Sequence, residues 1–218
     1  MKISKGARLL ALGAVLVIID QIIKIVVKTN MTLGEYFYVF GDWFRILFIE
    51  NEGMAFGMKF GGAAGKVVLS LFRICLFSFL FWWISKLASK GKAVKLSDGS
   101  VEYEKVPCGV LIGLTLIAAG ALGNIIDCVL YGQIFSESTW TTVSQVGGSY
   151  APVLLGKVVD MFHFPLIDTT WPEWMPIVGG RPFRFFEPVF NFADSCVSVG
   201  GVYLVLFQYK FFASDSNK

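Results

Sequence analysis

The residues best suited to acid–base chemistry here are carboxylates and amides set inside or beside apolar runs. They are Asp20, Asp127, Asp160 and Asp194, with Asn51, Asn124 and Asn191. Helical spacing pairs several of them: Asp20 with Lys24 at i,i+4, Asn124 with Asp127 and Asn191 with Asp194 at i,i+3. Each pair therefore lies on one helix face. An acid at bilayer depth costs roughly 3 kcal/mol on insertion scales, so such groups usually face an interior site. Two carboxylates in one poorly solvated pocket cannot both ionise easily and share a proton. One can then activate water while the other protonates a developing or departing atom, as aspartyl-type peptide hydrolysis requires. The bland reading is that the same side chains are interhelical glue. Glue accounts for each residue singly but not for so many acids at one depth.

Other chemistries are poorly supplied. His163 is the sole histidine, which excludes a two-His zinc site; beside Phe162 and Phe164 it reads as a structural interfacial residue. No GxSxG elbow occurs. Cys75, Cys108, Cys128 and Cys196 form no CxxC pair. Cys75 and Cys108 read as buried membrane thiols. Cys128 and Cys196 fall near external helix ends, where a disulfide is conceivable but unpaired packing thiols are the expectation. Neither a metal nor an organic cofactor is implied, and nothing supports nucleic-acid binding.

These groups need helices in a membrane to hold them. The chain has 218 residues, 55% hydrophobic and only 16% charged, against a soluble norm of about 25% charged. Its mean hydropathy is +0.65. Apolar windows at 9–27, 67–84, 106–126 and 189–212 each approach the roughly 20 residues that cross a bilayer. The first is expected to be retained rather than cleaved as a leader, because it carries Asp20, Gln21 and Lys24 with no small-x-small site after it. Basic residues fall before the first window (Lys2, Lys5, Arg8), between the second and third (Lys86, Lys90, Lys92, Lys95, Lys105) and at the end (Lys210, Lys218). With four spans these lie on one side, the cytoplasmic one. Regions 29–66 and 128–188 are then external. Between Met31 and Met58, aromatic and β-branched residues alternate with turn signals, predicting a small surface sheet. Lys86–Lys105 reads as a loop or short hairpin. The expected architecture is thus a single 1–218 domain, membrane α-helical, with four transmembrane helices, a small extracytoplasmic β-rich cradle and a long external cap loop.

The motifs in this frame resemble those of lipoprotein signal peptidase, also called signal peptidase II. Asp20-Gln21-Ile22-Ile23-Lys24 is similar to its DQxxK, Asn51 to Gly57 to its NxGxAFG, and Gly120 to Asp127 to its GGxxGNxxD. Val158-Val159-Asp160-Met161 resembles its VVDF, and Phe190 to Ser195 its FNxADS. They occur in the family's order and span nearly the whole chain. The resemblance implies catalytic roles for Asp160 and Asp194. It implies site-lining or supporting roles for Asn51, Gly53, Asn124, Asp127, Asn191 and Ala193, and structural support from Asp20 and Lys24. It further implies an endopeptidase of the bacterial cytoplasmic (inner) membrane, with both termini cytoplasmic and the site near the outer leaflet. Its substrate would be a diacylglyceryl-modified prolipoprotein cut just before the lipidated cysteine. Membrane lipid is the other expected partner, and a monomer is expected.

Departures from the pattern are informative. Cys128 stands where the family usually has Arg, with Lys157, Arg181 and Arg184 as candidate substitutes for the missing positive contact. Met161 replaces Phe. The gaps from Asp127 to Asp160 and from Asp160 to Asp194 are longer than usual. Residues 133–156 read as a lid, with Gly147-Gly148 as hinge and Trp140 and Tyr150 as anchors; an inert insertion is the alternative. The rival to a peptidase is a proton-coupled carrier using the same acids as a relay, though no inverted repeat is visible. A non-catalytic assembly subunit is the third reading.

Overall fold

The computed structural model describes residues 4–52, 62–95, 100–185 and 187–213, with the side chains of Lys95, Asp168 and Arg184 left aside. Gly53 and most of the Asn51–Gly57 motif lie outside the described residues.

Ser4 caps α1 (Lys5–Asn30), its hydroxyl accepting from the Ala7 N–H at 3.1 Å. A hairpin of β1 (Tyr36–Phe40) and β2 (Phe44–Asn51) follows, and then α2 (Gly62–Lys90). A second hairpin, β3 (Lys92–Lys95) with β4 (Val101–Glu104), leads into α3 (Cys108–Ile126). The helix does not stop at residue 126. It loosens into a π turn over Asp127–Tyr131 and ends as α4 (Gly132–Ile134), so the apolar helical run covers Cys108–Ile134. Then come β5 (Val158–His163), the hairpin β6 (Ile167–Thr170) and β7 (Pro182–Phe185), β8 (Val189–Phe190), α5 (Phe192–Phe207) and α6 (Tyr209–Ala213).

α1, α2 and the Cys108–Ile134 run are each long and apolar enough to cross a membrane, whereas α5 is a shorter apolar helix. At 16 residues α5 spans about 24 Å. The fourth apolar window is thus not one helix. Val189 and Phe190 pair with β5 as a strand, Asn191 caps, and the helix breaks at Gln208. Large apolar side chains such as Leu10, Ile18, Phe72, Leu76 and Val205 point outward from the bundle, as lipid-facing helices require. Cys75 and Cys108, expected as buried membrane thiols, are exposed on that outer surface. Cys128 and Cys196 are buried, and all four thiols are free.

α3 packs most closely against α5. The reason is visible at Gly120, where an added Cβ would lie 2.2 Å from the Ala193 carbonyl oxygen. Small residues let membrane helices approach backbone to backbone. One apolar core holds the α2–α3–α5 contact, through Ile84, Leu87, Val110, Leu114 and Leu204. A second sits where the helices meet the sheet, through Val27, Met31, Phe48, Tyr131, Phe135, Val159 and Met161.

The surface sheet predicted for 31–58 is present but larger. Its order is β1-β2-β5-β8, all antiparallel. β5 brings in Asp160, which opposes Ile49 on β2. His163 on the same strand is buried, its Nδ1 accepting from Arg45 Nε at 2.8 Å, which fits a structural role.

The long segment before β5 is bonded throughout. Phe135 bridges Val146, Tyr150 N–H and Ala151 N–H both reach the Gly132 carbonyl, and Leu33 N–H reaches the Thr139 carbonyl at 2.9 Å. Trp140 packs over Gly34, and Gly148 lies against Ser136. Both expected anchors therefore hold the protein's own chain. These bonds tie the segment to α4 and to the chain just before β1.

Candidate active site

Asp160 and Asp194 arrive from different elements. β5 carries Asp160, which is 3% exposed. α5 carries Asp194 in its first turn, fixed by a capping box: the Asn191 side chain accepts from Asp194 N–H at 2.8 Å, and Asp194 Oδ2 accepts from Asn191 N–H at 3.3 Å. Such reciprocal capping satisfies amides that a helix start leaves unpaired.

The two carboxylates are linked through Asn191 and Asn124. Asn191 Nδ2 donates to Asp160 Oδ1 at 2.7 Å and to Asn124 Oδ1 at 3.1 Å. Asn124 Nδ2 donates to Asp194 Oδ1 at 2.8 Å. Asn51 Nδ2 donates to Asp160 Oδ2 at 3.1 Å. Burial pushes the Asp160 carboxyl up to about 7, with the Asp194 charge as the next cause; the bonds from Asn51 and Asn191 and the Lys24 charge pull the other way.

Behind this pair lies a buried ionic layer. Lys24 Nζ, fully buried, meets Asp127 Oδ2 at 2.8 Å, Asp20 Oδ2 at 3.0 Å and Asn124 Oδ1 at 2.8 Å. Asp20 Oδ1 accepts the Ala193 N–H at 2.9 Å, tying α1 to the first turn of α5. Asp127 Oδ2 accepts the Val159 N–H at 3.2 Å, tying the π turn to β5 beside Asp160. A lone buried charge here would be prohibitive, but a cation shared by two acids and an amide is satisfied.

The structure thus gathers every named residue in its described part: Asp160, Asp194, Asn51, Asn124, Asp127, Asn191, Ala193, Asp20 and Lys24. Gly53 lies outside that part. Sequence reasoning missed Gln21, whose amide donates to Asp20, Asp127 and the Gly123 carbonyl while accepting from the Tyr131 hydroxyl. It also missed the partner of Cys128. That partner is Arg73 of α2, whose Nη1 lies 3.6 Å from Cys128 Sγ. Lys157 is committed to Glu50 and Glu137 instead. The signal was available, since Arg73 is a lone charge in the second apolar window. A groove of about 810 Å³ between α1, α2 and α3 touches neither carboxylate of the pair.

Two acids joined through asparagines inside a helical membrane protein are suited, in chemical terms, to hydrolysis by an acid pair. Comparison with known proteins agrees. A family model described as "Signal peptidase (SPase) II" matches residues 12–210. A lipoprotein signal peptidase of Porphyromonas gingivalis is 43% identical over 94% of this chain and 84% of that protein. One from Amoebophilus asiaticus is 32% identical over 87% of this chain and 72% of that protein. A solved bacterial membrane enzyme superposes with TM-score 0.58 over 99% of this chain and 95% of its own, at 20% identity, which speaks for the fold. The chain belongs to the signal peptidase II family. It is a bacterial membrane protein and an aspartic-type peptidase, so the carrier and assembly-subunit readings fall away.

Proposed function

We propose that this protein removes the signal peptide from diacylglyceryl-modified prolipoproteins, cutting before the lipidated cysteine with Asp160 and Asp194 as the catalytic pair. The observation that carries this is the junction itself: one residue, Asn191, bonds to both acids. The pair holds one proton, which resides on Asp160 in the free enzyme. Asp194, in the positive first turn of α5, takes a proton from the attacking water. Asp160 protonates the carbonyl oxygen; as the tetrahedral intermediate collapses it takes that proton back, while Asp194 delivers the water's proton to the departing nitrogen, which restores the pair. Asn51 and Asn191 orient Asp160, Asn124 orients Asp194, and the Lys24 layer holds α1, α3 and α5 in register. One chain supplies all of these groups, so a single copy suffices.

The membrane placement has its own support. Lys92 Nζ donates to the Phe211 carbonyl at 2.9 Å, so the β3–β4 hairpin and the chain's end share one end of the bundle with its basic residues. That end is cytoplasmic, α5 with α6 completes a fourth span, and the carboxylate pair lies near the outer leaflet. A lipid-anchored substrate can then enter sideways from the bilayer.

The deciding experiment is cleavage of a lipid-modified prolipoprotein by purified enzyme, read as a gel shift. Asp160→Asn and Asp194→Asn should each abolish turnover, and the double variant should be no worse, because the pair acts as a unit. Near-normal turnover by either single variant would defeat the assignment.

A further inference from the structure

One turn beyond Lys24, on the same face of α1, Lys28 enters a second buried charge cluster that the proposed chemistry does not use. Lys28 is fully buried, paired to Glu50 Oε1 and donating to Ser138 Oγ at 2.9 Å. The Ser138 hydroxyl donates to the same Glu50 oxygen at 2.9 Å. Glu50 Oε2 takes no hydrogen bond among the described residues but faces Lys157 Nζ at 3.3 Å as an ion pair. The Tyr150 ring stands beside both ammonium groups, 5.0 Å from Lys28 and 5.5 Å from Lys157. Its hydroxyl accepts the Lys157 N–H at 2.8 Å.

The cluster sits where the two site strands need help. Glu50 precedes Asn51, and Lys157 precedes β5. Between Ile46 and Ile49 the β2–β5 register is irregular, resuming as Ile49 opposite Asp160, Glu50 opposite Val159 and Asn51 opposite Val158. A bulge disrupts the ladder locally, and a one-residue slip would turn side chains to the opposite face. Only the three pairs beyond the irregularity therefore connect the ladder to the Asn51–Asp160 contact. Glu50 grips β2 and Lys157 grips β5 on the far side of the irregularity, while Lys28 ties both to α1 and Ser138 brings in the long segment.

We propose that Glu50, Lys28, Lys157 and Ser138 form a positioning clamp that sets Asn51 against Asp160. The long segment around 131–157 then serves the reaction by fixing strand register, not by covering the substrate. This rests on the reading of Asp160 as half of the catalytic pair. Displacements near 1 Å can cost about a hundredfold in rate, so the clamp acts on kcat.

Kinetics of Glu50→Gln, Ser138→Ala and Asn51→Ala on a lipid-modified prolipoprotein test it, with Glu102→Gln, on the exposed strand β4, as control. Glu50→Gln should lower kcat about tenfold or more with KM within twofold, and Ser138→Ala should lower it severalfold. Asn51 holds the Asp160 carboxyl down, so loosening it should move the alkaline limb of the pH–rate curve upward. The groups facing Asp160, namely Asp194 from α5, Lys24 from α1 and Asn191, stay intact in these variants, as do Lys66 of α2 and Asp127 near the clamp. Asn51→Ala should shift the limb the same way, and adding Glu50→Gln to it should shift the limb no further. A fall in kcat with the limb unmoved, or additive shifts, would mean a merely structural cluster and overturn the clamp. So would unchanged kcat in Glu50→Gln. Should that variant not fold, Ser138→Ala, which removes one hydroxyl, decides by the same limb. Activity retained by Asp160→Asn would instead sink the catalytic reading beneath it.

Discussion

Asp160→Asn should make the protein more stable at neutral and alkaline pH while making it inactive. The carboxyl is raised from 3.8 to about 7 in the fold. Its contribution is harmless below the unfolded value, where both states are protonated. As pH rises from about 4 to 7 the unfolded chain ionises freely while the buried group resists, so native stability falls. Each unit is worth about 1.4 kcal/mol, so the full handicap above pH 7 is on the order of 4 kcal/mol. Asparagine never ionises and escapes it. It brings a roughly constant offset of its own, because its amide must share the pocket with donors from Asn51 and Asn191, a matter of about 1 kcal/mol. The diagnostic is therefore the pH dependence of the difference, not its absolute value. Unfolding of both proteins in mixed detergent micelles at pH 4, 5.5, 7 and 8 gives that difference. It should grow in favour of the variant up to about pH 7 and then level off. A difference that stays flat across this range would refute the buried, proton-holding Asp160.

Further outcomes follow from the same geometry. The alkaline limb of kcat/KM should fall near pH 7, where the pair loses its proton, and a limb below pH 5 would contradict the burial of Asp160. Gly123→Ala would place a Cβ 2.5 Å from Asp20 Oδ2 and 3.1 Å from the Ala193 Cβ; such overpacking should cost about 1–3 kcal/mol and most of the activity, read by thermal unfolding and prolipoprotein cleavage. Gly201→Ala, with nothing within 4 Å of its Cβ, should be neutral or stabilising by up to about 1 kcal/mol. In a background without native cysteines, Trp174→Cys, at a side chain 78% exposed, should react with an impermeant thiol reagent in intact cells. Lys105→Cys should stay protected, and the reverse pattern would invert the proposed topology.

By itself the sequence determined the membrane class, the main helices and the residues that gather. Apolar windows of membrane length and acids at i,i+3 and i,i+4 are local facts, and local periodicity survives without tertiary context. The β3–β4 hairpin and the hairpin after α1 were likewise legible from turn signals. Short-range pattern could not place Asp160, whose position depends on β5 inserting between β2 and β8, a pairing across more than a hundred residues. Nor could it reveal that α5 starts only at Phe192, because Val189 and Phe190 are equally apolar in a strand or a helix and β5 chose between them. Only the tertiary structure showed Lys28 and Glu50 as partners, which of the chain's cations stands beside Cys128, and the hydrogen bonds that tie down the long segment. In each case the deciding term is the cost of leaving a buried charge or backbone group unmatched. That cost falls due only where distant elements meet, so no window of neighbouring residues records it.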